Sequence, residues 1–257
     1  MCARRGDRSA GDVDYGQLGR CYSNYRQPDP RITGLIRDAV GDAQSVLNVG
    51  AGAGSYEPIS CAVTAVEPSA SMRAQRPSHL VQAIDATAEQ LPFPDKSFDA
   101  AMATFTVHQW SNLSEGLGEL RRVTRGPIVI LTCDPLKVRD FWLNAYIPEV
   151  LDAEARRYPD MTQIVAGLGG SISVKAVPIP FDCTDGFNEA YYGRPEMFLD
   201  EDARLSCSAW SFATPRRVSE SIEKLSDDLR SGAWDRSYGT LRKLPSYEGC
   251  LILVTQA

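Results

Sequence analysis

The chain has 257 residues, 43% hydrophobic and 23% charged, proportions that suit a soluble globular protein with a sizeable core. Its 27 basic and 33 acidic residues leave a net charge of −6, and the densest basic cluster is only Arg121 to Arg125, so the broad basic face that a nucleic-acid partner requires is not expected. The seven cysteines (2, 21, 61, 133, 183, 207 and 250) never form a C-x-x-C pair, there are only two histidines (His79 and His108), and no run reaches membrane-spanning length, so the expectation is a cytoplasmic protein with reduced thiols, no metal site and no membrane association.

Residues 1–14 read as a disordered leader without the apolar core of a signal peptide, and 15–257 as one domain. Within "RQPDPRITGLIRDAV" a helix is predicted: Asp29 can cap it, Pro30 suits its first turn, the apolar positions Ile32, Leu35, Ile36, Ala39 and Val40 repeat at helical spacing, and Gly41 stops it. Short apolar runs then predict strands near 45–49, 62–67, 80–85, 98–105 and 127–133, their lack of polar alternation pointing to strands buried on both faces. Between the last two, Leu113, Leu117, Leu120 and Val123 form a helical stripe. The regular rhythm breaks at 136–172. An edge strand is then predicted at 174–180, limited by its prolines, followed by a helix at 215–230 capped by Thr214 and a last apolar strand in "CLILVTQA". The expected fold is α/β: a doubly wound, mostly parallel, seven-stranded sheet with helices on both faces and an insertion after the fifth strand.

The stretch "VLNVGAGAGSYEP" places Gly50, Gly52 and Gly54 directly after the first strand, where a parallel sheet presents a crevice and bare backbone lets a ligand approach. The spacing is G-x-G-x-G. The dinucleotide fingerprint G-x-G-x-x-G would need glycine where Ser55 stands, which argues against a nicotinamide-dependent oxidoreductase. Glu67 ends the second predicted strand, where a carboxylate can accept hydrogen bonds from both ribose hydroxyls. Asp85, followed by Ala86, ends the third, where a carboxylate can accept from an adenine amine and the next amide can donate to the ring. Met72 can cover an adenine face or belong to the core.

In this order, "VLNVGAGAG", "AVEPSASM", "DATAEQLPFPDKSFDAAMATFTVHQW" and "ELRRVTRGPIVILTCDP" resemble the class I, Rossmann-like S-adenosylmethionine-dependent methyltransferases, particularly their bacterial small-molecule, type 11-like branch. The resemblance covers about residues 15–135. It implies S-adenosylmethionine as cofactor, with Gly50, Ala51, Gly52 and Gly54 around its methionyl portion, Glu67 and Pro68 at the ribose, Met72, Asp85 and Ala86 at the adenine, and Thr104 beside the sulfonium. Tyr22, Tyr25 and Arg26 match a cap over the cofactor (residues 15–40), Arg26 either pairing with the methionine carboxylate or lying on the surface before a proline-rich turn. Asn48 stands where the family usually has an acid, which removes a charge that would attract the cofactor ammonium. The later "DCTDGFNEAYYGRPEMFLD" also looks like segments of such proteins, with no mechanism attached.

Methyl transfer needs alignment and water exclusion, and a base only when the acceptor must lose a proton. His108 is the candidate base; its other reading is a histidine that orders its loop or touches cofactor main chain. His79 reads as a surface residue, and Cys133 and Cys183 as packing. Residues 136–172 and 183–213 are expected to form a substrate lid; Trp110 and, within the lid, Phe141, Trp142, Tyr146, Glu189, Tyr191 and Tyr192 either line the acceptor pocket or serve as core. The expected activity is methyl transfer to O, N or C of a small-molecule acceptor, a natural product or other secondary metabolite, by a monomer or homodimer. The alternative is a protein of the same fold that binds S-adenosylmethionine and performs a non-methylating reaction such as cyclisation.

Overall fold

Four parallel strands carry the glycine loop and set the fold's frame. In the computed structural model, which describes the backbone from residue 22 and side chains from residue 24, these are β1 (Ser45–Val49), β2 (Ala62–Val66), β3 (Ala100–Thr104) and β4 (Ile128–Cys133). The sheet is completed by β5 (Ile172–Ala176) and β8 (Leu251–Gln256), in the order β2-β1-β3-β4-β8-β5, with β8 antiparallel to both its neighbours. A mostly parallel α/β sheet was expected, and the chain forms one.

The strand count differs. The main sheet has six strands, because the run 80–85 makes a single bridge, Val66 to Ile84, and no strand. Val81 and Ile84 are 46% and 41% exposed, so no layer covers this edge and there is little apolar burial to extend the ladder. The second edge also departs from the prediction. Pro178 cannot donate to a ladder, so β5 ends at Ala176, and β6 (Ile179–Pro180) leaves to pair with β7 (Ser246–Tyr247) in a separate two-stranded sheet.

Alternating side chains divide the core between the two faces of the sheet. On one face Val46, Ala100, Met102, Val129 and Leu131 pack with Ile32, Ile36 and Val40 of a helix at Pro30–Val40. That helix is α2, following a single turn, α1, at Tyr22–Tyr25. Asp29 caps α2 by accepting from the Arg31 N–H, and Gly41 closes it at φ 66°. On the other face Leu47, Val49, Ala101, Ala103 and Ile130 pack with Leu117, Leu120 and Val123. These three lie on α4 (Leu113–Val123), the helix after the short α3 (Ala70–Ala74). Helices therefore cover both faces, as a doubly wound sheet requires.

The segment between β4 and β5 carries α5 (Pro148–Arg157) and α6 (Met161–Leu168). Ile164 and Leu168 of α6, within the stretch expected as lid, pack with Leu117 and Leu120 of α4. Beyond β6 follow α7 (Glu201–Leu205), α8 (Pro215–Arg230), which matches its predicted range, and α9 (Ala233–Tyr238). The α2-side core continues into this part through Phe141, Trp142, Tyr192, Phe198, Trp210 and Trp234. Among the described residues no helix is long and apolar enough to cross a membrane.

Candidate active site

The strand order reverses at β1: the chain runs from β1 outward to β2, then crosses back to β3 on β1's other side. A crevice forms beyond the strand ends at such a point. Here it is a cleft of about 830 Å³, open mouth included, floored by the loop after β1 and walled by Glu67, Pro68 and Met72 after β2 and by Thr104, Phe105, Thr106, Gln109 and Trp110 at and beyond the end of β3.

The glycine loop is held from below and open above. At Gly50, φ is +69° and an added Cβ would lie 1.9 Å from Thr106 Oγ1, so this glycine is required by the protein's own packing. Gly52 differs. With φ +51°, a Cβ there would meet only the Met72 methyl, at 3.4 Å, and the side chain would grow into the cleft that both residues line. This cradle of bare backbone is what a ligand's amino-acid tail needs. Gly54 backs onto Leu80 and Arg76 and does not line the cleft.

Glu67 ties the loop to β2. Its Oε2 accepts from the Gly52 N–H at 2.8 Å and its Oε1 from the Ser69 N–H at 2.8 Å. Each oxygen keeps a lone pair, so the carboxylate can still accept from two hydroxyls across the cleft. Burial pushes its pKa up, against the pull of those two amides and of Arg73 and Arg76.

Asn48 sits in a buried polar group beneath the loop. Its Nδ2 donates to Glu57 Oε1 at 3.0 Å, and Glu57 pairs with both carboxylate oxygens to Arg76, at 2.8 and 2.9 Å. Arg76 also donates to the Gly52 carbonyl at 3.3 Å. The acid that Asn48 lacks is thus present nine residues later, where it anchors an arginine rather than facing the cleft.

Arg26 forms the opposite wall. Its guanidinium pairs with Asp185, its carbon lies 5.0 Å from the centroid of Phe105, and the pair is sealed by the Tyr56 hydroxyl, which donates to Asp185 Oδ2 at 2.7 Å. The backbones of Arg26 and Asp185 also bridge. Arg26 is therefore a cleft residue held from behind, and the segment "DCTDGFNEAYYGRP" acquires a role: Asp185 positions the cap. No local pattern in the sequence links two residues 159 positions apart.

Eight of the expected cofactor residues meet here: Arg26, Gly50, Ala51, Gly52, Glu67, Pro68, Met72 and Thr104. Asp85 and Ala86 do not line the cleft. Asp85 faces Arg73 at 3.4 Å, and the wall is built two residues further on by Thr87, Ala88 and Glu89. The Tyr22 side chain lies outside the described residues, as do the leader and residues 15–21 of the cap. Ala53, Ser55, Tyr56, Phe105, Thr106 and Gln109 also line it and carried no signal in the sequence; Trp110, a candidate for the acceptor, lines this cleft too.

His108 turns the other way. It lines a second cavity of about 460 Å³, open mouth included, shared with the first only through Arg26 and Phe105 and otherwise walled by Glu154, Arg157, Tyr158, Phe187, Ser206, Cys207 and Ser208. His108, Glu154 and Tyr158 keep some accessible surface although they lie deep in the protein, because that surface faces this cavity. Burial, together with the charges of Arg157 and Arg26, holds the imidazole pKa well below its ordinary value. The partition is strained: Phe105, a bulky residue, sits at φ +51°.

The remaining aromatic candidates are core. Phe141, Trp142, Tyr146, Tyr191 and Tyr192 are buried, Trp142 Nε1 donating to the Tyr192 carbonyl at 2.9 Å. Glu189 is buried against the Cys250 N–H at 2.8 Å, and Cys133 and Cys183 are buried thiols. His79 is exposed. Among the described residues no cluster of potential ligands could hold a metal ion.

Residues 47–127 match the family model of the methyltransferase domain. Among solved structures the chain is similar to an Anabaena variabilis protein described as a methyltransferase from an antibiotic biosynthesis pathway, with 29% identity, 91% of this chain and 99% of that one covered, and a TM-score of 0.85. It is also similar to a protein of Thermotoga maritima described as an S-adenosylmethionine-dependent methyltransferase (16% identity, 94% and 92% covered, TM-score 0.50) and to the cyclase SpnF (18% identity, 99% and 88% covered, TM-score 0.52), likenesses of fold. No curated protein matches the sequence. Residues 47–127 form a methyltransferase domain with the class I fold, and the protein is an S-adenosylmethionine-dependent methyltransferase.

Proposed function

We propose that this enzyme methylates O, N or C of a secondary metabolite. The observation that carries the reading is the bare-backbone cradle at Gly52, bound through its own N–H to Glu67 and facing Arg26 across the cleft. In this reading Arg26 pairs with the methionine carboxylate, Gly50 to Gly52 follow the methionyl chain, Glu67 accepts from the ribose hydroxyls, Met72 and the Thr87 to Glu89 wall flank the adenine, and Thr104 lies beside the sulfur. When bound, the cofactor supplies an electrophilic methyl carbon, so the protein's own task is to orient the acceptor and keep water out. Residues 136–172 and 183–213 would serve as the cover. A cytoplasmic protein with no nucleic-acid partner accords with the net charge of −6, and the likeness to the Anabaena protein supports the metabolite class.

The test is incubation with methyl-labelled S-adenosylmethionine and a metabolite extract of the producing cell. Label is expected in the small-molecule fraction. Cofactor binding with no label transferred would favour the non-methylating alternative, a reaction such as cyclisation.

A further inference from the structure

Resting on that reading, the second cavity invites the question of what it holds. It adjoins the cofactor cleft at Phe105 and Arg26 and at no other shared residue. Its broad walls are rings: Phe105 and Phe187 lie 5.3 Å apart between centroids, and Tyr158 meets the edge of His108 at 4.8 Å. Such walls favour a flat occupant.

The polar groups restrict it further. His108 Nδ1 is buried and has no hydrogen-bond partner. A buried nitrogen left unmatched costs free energy, so a ligand donor is the natural complement. The imidazole is neutral, and two guanidiniums, Arg26 and Arg157, face the same space. Asp185 offsets the charge of Arg26, so Arg157 is the guanidinium that penalises a cationic occupant and favours oxygen that carries developing negative charge. Glu154 opposes it only in part. Its Oε1 is engaged by Asn188 Nδ2 at 2.9 Å, and burial pushes its carboxyl up to about 7, against the pull of Asn188, Arg157 and Arg26.

We infer that this cavity is the acceptor site and that it takes a flat acceptor with an acidic hydroxyl, a phenol or an enol, whose O–H donates to His108 Nδ1. An amine acceptor, protonated at neutral pH, would meet the charge of Arg157 in the same cavity.

The test is binding. Affinity for S-adenosylhomocysteine is measured first by calorimetry, and the loaded protein is then titrated with 2-naphthol and, separately, with benzylamine. We expect 2-naphthol to bind in preference to benzylamine, the His108 ring-nitrogen resonance to shift on its addition, and His108→Phe to weaken its binding about tenfold, the scale of one buried hydrogen bond, while S-adenosylhomocysteine affinity stays the same. The wild-type comparison and the resonance do not depend on the variant's folding. Preference for benzylamine, an unmoved resonance or absent 2-naphthol binding would overturn the inference alone. Failure of S-adenosylhomocysteine itself to bind would overturn the cofactor reading, and this inference with it.

Discussion

The Arg26 guanidinium lies 5.0 Å from the Phe105 ring, and the two residues together form the partition between the cofactor cleft and the cavity that holds His108. The partition is fixed from both sides. Asp185 and Tyr56 hold Arg26, while Phe105 is kept in a left-handed backbone conformation by the end of β3, its N–H donating to the Leu131 carbonyl at 2.9 Å. A cap tied to a buried carboxylate links its own stability to the shape of the site.

That link can be measured. Asp185 is 2% exposed, and Asp185→Ala leaves a nearly buried guanidinium and the Tyr56 hydroxyl without their acceptor. Breaking a buried ion pair from one side costs about 3–5 kcal/mol. Denaturant unfolding should register a loss of this size; a loss below about 1 kcal/mol, typical of a surface change, would show that the pair does not hold the cap.

Glu67 joins the glycine loop to the proposed ribose site. Glu67→Ala removes the acceptor for Gly52 and Ser69 and for any hydroxyl in the cleft. S-adenosylmethionine binding should weaken by about 1–3 kcal/mol, the scale of hydrogen bonds to a charged group. Unchanged affinity in calorimetry would remove Glu67 from the site.

Glu189 predicts a pH dependence of stability. Burial pushes its carboxyl from 4.5 up to about 7, opposed by the Cys250 N–H and reinforced by the charge of Glu154. Between those two values the folded protein keeps a proton that the unfolded chain has released, so stability falls as pH rises through the window. Glu189→Gln cannot ionise. Its unfolding free energy should gain on the wild type from pH 5 to pH 8 by up to about 3 kcal/mol, following ~1.4 kcal/mol per pKa unit. A difference that stays constant over this range would contradict the assignment.

Much of the frame was legible because burial leaves a plain mark. β1, β4 and β8 are mostly apolar, buried runs, and α2 announces its ends through Asp29, Pro30 and Gly41. The run 80–85 misled because its apolar residues lie at an uncovered edge, where composition alone does not tell a strand from a loop. The same run set the site reading: a carboxylate counted from a strand end fell on Asp85, whereas the cleft is lined by Thr87, Ala88 and Glu89. The glycines and Glu67 could be placed because they adjoin real strand ends. Asp185 and the His108 cavity could not, since residues near 105, 155, 187 and 207 meet only through packing. The sequence shows where β3 ends, and not which way His108 turns.

The central claim is that the cleft between Gly52 and Glu67 is built for S-adenosylmethionine rather than for a dinucleotide. Calorimetric titration of the full chain with S-adenosylmethionine, and with nicotinamide dinucleotide as comparison, tests it most directly. We predict saturable binding of one S-adenosylmethionine per chain and no heat from the dinucleotide; dinucleotide binding, or no response to S-adenosylmethionine, would contradict it.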